Sequence, residues 1–124
     1  MIIGIGIDII EVDRVEEKIS RSQGFREKVF SKAEIEFCDK QRKSFESYAV
    51  RFAAKEAFLK ATGKGLTSGY DLCDIEVVND SLGKPELVLH NSFAELAEVS
   101  GWKKIHVSLS HIRAAACATV IIES

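Results

Sequence analysis

The chain has 124 residues, of which 46% are apolar and 29% charged, and a single proline, a composition that excludes a disordered protein and predicts one globular domain, 1-124. Its net charge of −2 argues against a nucleic-acid-binding protein. The N-terminal apolar run Ile2–Ile7 is too short to span a membrane and lacks the basic residues of a signal peptide. Three widely separated cysteines fit neither a disulfide framework nor a zinc site, which predicts a cytoplasmic protein with reduced thiols.

The N-terminal quarter is predicted to form a strand followed directly by a helix. Ile2–Asp8 is rich in isoleucine, and Gly4 and Gly6 within it would allow another backbone to approach closely. In Glu11–Ser20 valine and isoleucine recur at helical spacing, which predicts an amphipathic helix.

The middle of the chain is predicted to be helical. Ser31 and Glu34 form a capping-box pattern that would begin a helix reaching about Lys40. The alanine-rich segment Tyr48–Thr62 is the strongest helical signal, and Gly63 is well placed to end it. We expect this segment to be a long, mostly buried central helix.

The C-terminal half is predicted to be mostly strands. Ile75–Val78 and Glu86–Leu89 flank a turn rich in asparagine, aspartate, glycine and proline, which indicates a hairpin. Ser92–Val99 has the pattern of a short helix, and Ile105–Ser110 and Ala114–Ile122 have the pattern of two further strands. The order of elements predicts an α+β fold.

Basic residues are concentrated in one stretch of this acidic chain. Residues 39–64 contain seven basic and three acidic side chains. This bias suits a small polyanionic ligand better than a long nucleic acid, although a solvated helix face would have the same composition.

Charged residues interrupt the apolar pattern of the central helix. Arg51 and Lys55 would share one face, and Glu56 and Lys60 another. Glu56, together with Asp8 at the end of the first strand, could hold a divalent metal ion while Lys60 contacts a phosphate. Spacing alone favours a simple Glu56–Lys60 ion pair, and Asp8 could equally be a helix N-cap.

Two further groups of polar residues are candidates for ligand binding. Gly63–Gly65 could bring backbone amides close to a phosphate, although a helix C-cap is the simpler interpretation. His106, Ser108 and Ser110 would share one face of a strand and could line a groove. A dinucleotide-binding fold is rejected because the glycine pattern at positions 4 and 6 lacks its third glycine. The residues around Ser110 lack a nucleophile-elbow pattern, so a serine hydrolase is not supported either.

Three segments, in order and at matching spacing, carry a resemblance to a known family. They are Gly4–Ile9 followed by Arg14, Arg51–Ala61 followed by Gly63, and His106–His111. Together they resemble the signature blocks of the holo-(acyl-carrier-protein) synthase family of 4′-phosphopantetheinyl transferases. The resemblance covers essentially the whole chain and implies a small antiparallel-type sheet packed on a long central helix. It also implies a homotrimer whose active sites lie between subunits.

The resemblance implies a Mg²⁺-dependent transfer of 4′-phosphopantetheine from coenzyme A to a serine of apo acyl carrier protein. Asp8 and Glu56 are implied to ligate the magnesium ion, and Lys60 to lie beside the β-phosphate and offset transition-state charge. The base that takes the serine proton is left open between a metal-bound water and a carboxylate.

The resemblance also implies the binding surfaces for both substrates. Arg42 and Lys43 would lie near the 3′-phosphate of coenzyme A. The other residues implied to contact coenzyme A are Lys60, Gly63, Lys64, Gly65, Ser108, Ser110 and His111. Arg14 and Arg21, with Phe25 beside them, would dock the acidic recognition helix of the carrier protein.

The chain departs from the family pattern at two positions. Lys64 and Ile112 stand where a small or hydroxyl residue is frequent.

Two other functions remain open from the sequence. One is a metal-dependent phosphotransferase that uses a nucleotide directly, and the other is a non-catalytic module that binds coenzyme A or a carrier protein.

Overall fold

The computed structural model describes residues 1–66 and 68–124, which form a strand, four helices and then mostly strands. In chain order the elements are β1 (Ile2–Glu11), α1 (Val12–Arg21), α2 (Phe25–Val29), α3 (Lys32–Asp39), α4 (Ser44–Thr62), a short 3₁₀ helix (Leu72–Asp74), β2 (Ile75–Asn79), β3 (Pro85–Leu89), α5 (Asn91–Ser100), β4 (Lys104–His111) and β5 (Ala115–Glu123). The predicted α+β class is confirmed. The helix α2 was not predicted, because five residues are too few to show a helical period.

The main sheet is antiparallel, with the strand order β1-β5-β4. Its first strand is longer than predicted and continues past Asp8 to Glu11, because β5 goes on pairing with it as far as Glu11 opposite Ala115. One face of the sheet packs on α4. Every second residue along β5 points to that face and is buried. The hairpin β2-β3 is confirmed and forms a separate two-stranded sheet.

The backbone of β1 lies directly against α4, as its two glycines predict. A Cβ atom at Gly4 would lie 2.0 Å from the carbonyl oxygen of Ala61, and one at Gly6 would lie 1.9 Å from that of Ala57. Any larger residue would push the strand away from the helix, since a real Cβ contact is never this short. Asp8, two residues after Gly6, is therefore held close to the surface of α4.

Helix α4 is the centre of the hydrophobic core. Its first half packs on α1, α2 and α3 through residues such as Tyr48 and Phe52, and its second half packs on the sheet, the hairpin and α5 through Ala57 and Phe58. The helix begins four residues earlier than predicted and ends, as predicted, at Gly63, which adopts a left-handed conformation with φ of 66°. Within residues 1–66 and 68–124 no helix combines the length and the apolarity needed to cross a membrane.

The capping box at the start of α3 is confirmed, and it has a second role. The side chain of Ser31 accepts a hydrogen bond from the amide of Glu34, and Glu34 Oε1 accepts one from the amide of Ser31. The same carboxylate is fully buried and forms an ion pair with Lys55 of α4 at 2.7 Å. Arg51 and Lys55, predicted as a polar strip, are thus buried inside the protein, at 5% and 0% exposure.

Candidate active site

The structure brings Asp8, Glu56 and Lys60 together where β1 crosses α4. Lys60 Nζ lies 3.0 Å from Asp8 Oδ1 and also donates a hydrogen bond to the carbonyl oxygen of Ile7 at 3.0 Å. Spacing alone had favoured an ion pair between Lys60 and Glu56, and that interpretation is wrong, because the lysine reaches across to the strand. The N-cap interpretation of Asp8 is also wrong, since the N-cap of α1 is Glu11.

A cavity of about 490 Å³ opens beside the two carboxylates. Its lining consists of residues from β1, α1, α4 and the start of β5: Asp8, Ile9, Ile10, Glu11, Arg14, Lys18, Phe52, Glu56 and Ala115. Partial burial raises the pKa of Glu56, and the charge of Asp8 raises it further, against the opposing effect of Lys60 and Lys18. A nearby cation would stabilise the charged form of Glu56, which burial and the charge of Asp8 disfavour.

The donor set of this cavity fits a magnesium ion. Mg²⁺ prefers oxygen ligands and commonly takes one or two carboxylates from the protein, with water and substrate phosphates completing its coordination. Asp8 and Glu56 provide two such carboxylates facing one cavity. Among the described residues no group of three or more histidine, cysteine, aspartate or glutamate side chains is arranged to hold a metal. The protein alone would thus supply an incomplete shell that a phosphate substrate could share.

The exposed face of α1 adjoins the carboxylate cavity. Arg14 and Lys18 line both that cavity and a neighbouring one of about 310 Å³, which also includes Arg21. Arg21 is exposed and forms an ion pair with Glu17. Phe25 lies at the start of α2 and packs against Phe52, with ring centroids 6.0 Å apart. Of the three predicted docking residues, Arg14 lines the carboxylate cavity, Arg21 lines only the neighbouring one, and the partly buried Phe25 contacts Phe52 beneath them.

Lys18 was not identified from the sequence as a site residue. Its ammonium group lies 5.7 Å from the ring centroids of both Phe25 and Phe52. Lys18 also lines the carboxylate cavity, and its charge acts on Glu56. The amphipathic pattern of α1 predicts only an exposed lysine at this position, because the aromatic residues beside it come from other elements.

Four of the residues predicted to contact coenzyme A line two adjoining cavities on another part of the surface. Arg42, Lys43 and His111 line a cavity of about 260 Å³, and Ser108 and His111 line one of about 460 Å³. Three residues line both cavities: His111 of β4, and Val50 and Arg51 of α4. We call these two cavities together the basic groove.

Two residues of the basic groove, Arg51 and Lys84, were not assigned to it from the sequence. Arg51 is stacked on the ring of Phe37 at 4.4 Å and donates to the hydroxyl of Ser47 at 2.8 Å, while its buried Nε has no hydrogen-bond partner among the described residues. Lys84 is held at the groove by the β2-β3 turn, in which Asp80 Oδ1 accepts hydrogen bonds from the amides of Leu82 and Lys84. The turn was recognised, but its contact with β4 is a tertiary feature.

Some predicted site residues lie outside the cavities described above. Gly63 is a helix C-cap, with its amide donating to the carbonyl of Lys60 at 3.2 Å, and Lys64 and Gly65 are exposed beyond it. Ser110 shares the exposed face of β4 with Ser108 and His106, as predicted, but does not line the groove. Their contact with coenzyme A stays a prediction.

Comparison with known proteins agrees along the whole chain. A sequence profile of the 4′-phosphopantetheinyl transferase superfamily matches residues 4–120. A holo-(acyl-carrier-protein) synthase of Syntrophus aciditrophicus is 48% identical over 124 residues, covering 99% of this chain and 97% of that protein.

Solved structures show the same similarity in three dimensions. The crystal structure of holo-(acyl-carrier-protein) synthase from Neisseria meningitidis superposes with a TM-score of 0.90 at 31% identity, over the full length of both chains. A synthase from Bacillus anthracis, solved in complex with CoA (3′,5′-ADP), has a TM-score of 0.81 at 38% identity, over 100% of this chain and 98% of that one. With its carboxylate pair on β1 and α4 and with this agreement over its full length, the chain belongs to the 4′-phosphopantetheinyl transferase superfamily.

Proposed function

We propose that this protein is a holo-(acyl-carrier-protein) synthase, which transfers 4′-phosphopantetheine from coenzyme A to a serine of apo acyl carrier protein. The observation that carries the proposal is the cluster of Asp8, Glu56 and Lys60, found in a chain that is similar to such synthases from end to end. Two carboxylates that line one cavity, with an ammonium group in contact with one of them, suit phosphoryl-group transfer.

The reaction makes one phosphorus–oxygen bond and breaks another. The serine oxygen attacks the β-phosphorus of coenzyme A, its proton passes to a base, and the bond to the α-phosphate oxygen breaks to release adenosine 3′,5′-bisphosphate. A bound Mg²⁺ ion, held by Asp8 and Glu56, would stabilise the charge that develops on the phosphates. Lys60, anchored on Asp8 and the carbonyl of Ile7, would place a second positive charge next to them.

The basic groove would bind the nucleotide half of coenzyme A. Arg42, Lys43, Arg51, Lys84 and His111 surround it, which matches the charge of the 3′-phosphate. The chain's net charge of −2 is compatible with this because the basic residues are gathered locally. The acidic carboxylate cavity would instead receive the pyrophosphate, whose charge the metal ion offsets.

Arg14, Lys18 and Arg21 would dock the carrier protein. They form a basic surface that ends at the carboxylate cavity, so an acidic partner bound there would present its serine to the reacting phosphate.

We also propose a cytoplasmic location, supported by three cysteines that are unpaired in the structure.

We further propose a trimer with active sites between subunits. On the outer face of β1, the side chains of Ile5, Ile7 and Ile9 are 63%, 62% and 72% exposed, which is an unusual row of large apolar groups for a strand at the edge of a sheet. The carboxylate cavity and the basic groove share no lining residue. Contact between subunits would cover the isoleucines and could bring the groove of one subunit to the carboxylates of the next.

The function is tested by measuring the intact mass of a purified apo acyl carrier protein after incubation with this protein, coenzyme A and Mg²⁺. We expect the carrier mass to rise by one phosphopantetheine group, and the gain to disappear with a chelator. A gain that persists with the chelator would contradict the metal assignment. No gain with several competent carriers would contradict the transferase itself and favour a binding module.

A further inference from the structure

Glu46 is an unexpected residue in the basic groove. It lies in the first turn of α4 and is the only carboxylate among the described residues that line the 260 Å³ cavity, whose basic residues are Arg42, Lys43, Arg51 and His111. Its side chain is only 12% exposed, so its charge is partly shielded from water. A negative charge beside a phosphate-binding cavity should weaken binding of an anion, unless it has another task.

The contacts of Glu46 indicate that it interacts with two basic residues of the groove. Its Oε1 lies 3.1 Å from His111 Nδ1, a contact between the start of α4 and the end of β4. Its Oε2 lies 4.0 Å from the ammonium of Lys43, just before the helix. Glu46 thus hydrogen-bonds the ring of His111 and lies at ion-pair distance from Lys43, two residues of segments that meet only in the folded protein.

The hydrogen bond to His111 defines the role of the two ring nitrogens. A carboxylate only accepts hydrogen bonds, so Nδ1 of His111 must carry a proton and donate it. Nε2 is then the nitrogen left for a ligand, and in the charged ring it also carries a proton that can be donated to a phosphate oxygen. A histidine whose second nitrogen is held by a carboxylate is fixed in both orientation and proton position.

We propose that Glu46 is a positioning residue for the 3′-phosphate of coenzyme A. It orients His111 and Lys43 toward the cavity before the substrate arrives, and this outweighs the repulsion between its own charge and the phosphate. The inference rests on the proposed function, because it takes coenzyme A as the ligand. It concerns only recognition of the nucleotide and not the chemistry at the carboxylate pair.

Orientation and repulsion predict opposite results when Glu46 is replaced. If Glu46 orients the donors, Glu46→Ala leaves two flexible side chains to be ordered on binding, and the Kd for coenzyme A should rise about 3- to 10-fold. If its charge merely repels the phosphate, the same variant should bind coenzyme A more tightly. Glu46→Gln keeps an acceptor for His111 Nδ1, so its Kd should stay within about twofold of wild type.

The experiment measures the Kd of coenzyme A and of 3′-dephospho-coenzyme A by isothermal titration calorimetry. The proteins are wild type, Glu46→Ala, Glu46→Gln and, as a matched control, Glu98→Ala, which removes the same charge from the exposed surface of α5. We expect Glu46→Ala to weaken binding of coenzyme A only, since the dephospho compound lacks the group that His111 and Lys43 would contact. The control should leave both values unchanged.

Three outcomes would overturn the inference. They are tighter binding of coenzyme A by Glu46→Ala, equal weakening of both compounds, which would indicate a structural role, and a wild type that does not prefer coenzyme A over the dephospho compound. Transfer to the carrier protein is followed separately by mass. A wild type that prefers coenzyme A but transfers nothing would refute the proposed function while the calorimetry still decides the role of Glu46.

Discussion

Glu56 shows how a site residue can oppose the stability of the fold. Burial, followed by the charge of Asp8, raises its pKa, so the folded protein binds a proton at this carboxyl more readily than the unfolded chain does. Between the ordinary glutamate pKa and the raised value, the stability contributed by this group therefore falls as pH rises. Above that range the charged carboxylate is a net cost that a bound cation would relieve.

Replacing Glu56 by glutamine should separate activity from stability. We expect Glu56→Gln to lose transfer by about 100-fold or more, because the variant lacks a charged ligand. In a chelator it should be more stable than wild type at about pH 8, and the difference should shrink at about pH 4, where glutamate is mostly protonated in both states. Urea unfolding at the two pH values measures this, with the exposed Glu95→Gln as control. If the stability difference between Glu56→Gln and wild type is the same at both pH values, the charge of Glu56 is not its cause.

Lys55 illustrates a charged residue in the same helix with a structural role. Its ammonium is fully buried and donates to Glu34, to the carbonyl of Leu72 at 3.1 Å and to that of Ile75. The second oxygen of Glu34 accepts a hydrogen bond from the amide of Val77 at 2.9 Å. Burial lowers the pKa of Lys55, and the charge of Glu34 opposes that effect. The network joins α3, α4 and β2 at one point.

Removing one partner of this pair should be costly. We expect Lys55→Met to lower the free energy of unfolding by about 3–5 kcal/mol, since Glu34 would remain buried without its counter-charge. The exposed Lys103→Met should change it by less than about 0.5 kcal/mol. Urea denaturation followed by circular dichroism measures both values. A loss below about 1 kcal/mol for Lys55→Met would mean that the network contributes little.

Among the elements, β1 depends most strongly on its glycines, which let its backbone lie against α4. Gly6→Ala would place a methyl group 1.9 Å from the carbonyl of Ala57 and 2.7 Å from the amide nitrogen of Ala61. These are backbone atoms of a buried helix and cannot move aside cheaply. We expect a loss of about 1–3 kcal/mol or more in the free energy of unfolding.

The matched control for this substitution is Gly65→Ala, where the added methyl group meets nothing within 4 Å. It should leave stability within about 0.5 kcal/mol of wild type. Both variants are compared by thermal and urea unfolding. Equal stability of Gly6→Ala and Gly65→Ala would contradict the close approach of β1 to α4.

The exposed face of helix α1 is expected to bind the carrier protein, while Val12 and Val15 on its other face pack in the core. Arg14 is exposed and lines both the carboxylate cavity and the neighbouring cavity on α1. Arg14→Glu should raise the KM for acyl carrier protein by about tenfold or more through like-charge repulsion, while the KM for coenzyme A stays unchanged. Steady-state kinetics with each substrate varied in turn, with Lys103→Glu as control, decides this. Unchanged carrier kinetics would refute docking on α1.

At the scale of the whole molecule, the outer face of the main sheet predicts self-association. Ile5→Lys should reduce the mass measured by light scattering from that of a trimer to that of a monomer, because it places a charge in the proposed contact. Leu82→Lys, a change of the same kind at a side chain that is 93% exposed in the β2-β3 turn, should leave the mass unchanged. A wild type that is monomeric at micromolar concentration would refute the trimer.

The shared active site can be tested separately from the oligomeric state. Glu56→Ala impairs the carboxylate cavity, and His111→Ala impairs the basic groove. If one site uses the cavity of one subunit and the groove of another, oligomers that contain both variants should regain part of the transfer activity that either lacks alone. No recovery in oligomers verified as mixed by mass would mean that each site is built from one subunit.

The sequence by itself determined the elements and the chemical nature of the site. Helix α4, the capping box of α3, the hairpin and the strands β4 and β5 all follow from local periodicity and turn residues. The spacing of the glycines in β1 predicted its close approach to another backbone. The three sequence blocks were specific enough to identify the family, because they match its pattern in order and in spacing over nearly the whole chain.

Only the tertiary structure decided which charges meet. Lys60 pairs with Asp8, 52 positions away, rather than with Glu56 one turn away, and Lys55 pairs with Glu34 in the core. The positions of Lys84 in the groove and of Glu46 beside His111 depend in the same way on contacts between distant segments. Local periodicity reports which face of an element is apolar, but a charged side chain selects its partner by distance in the folded protein, which depends on how the elements pack.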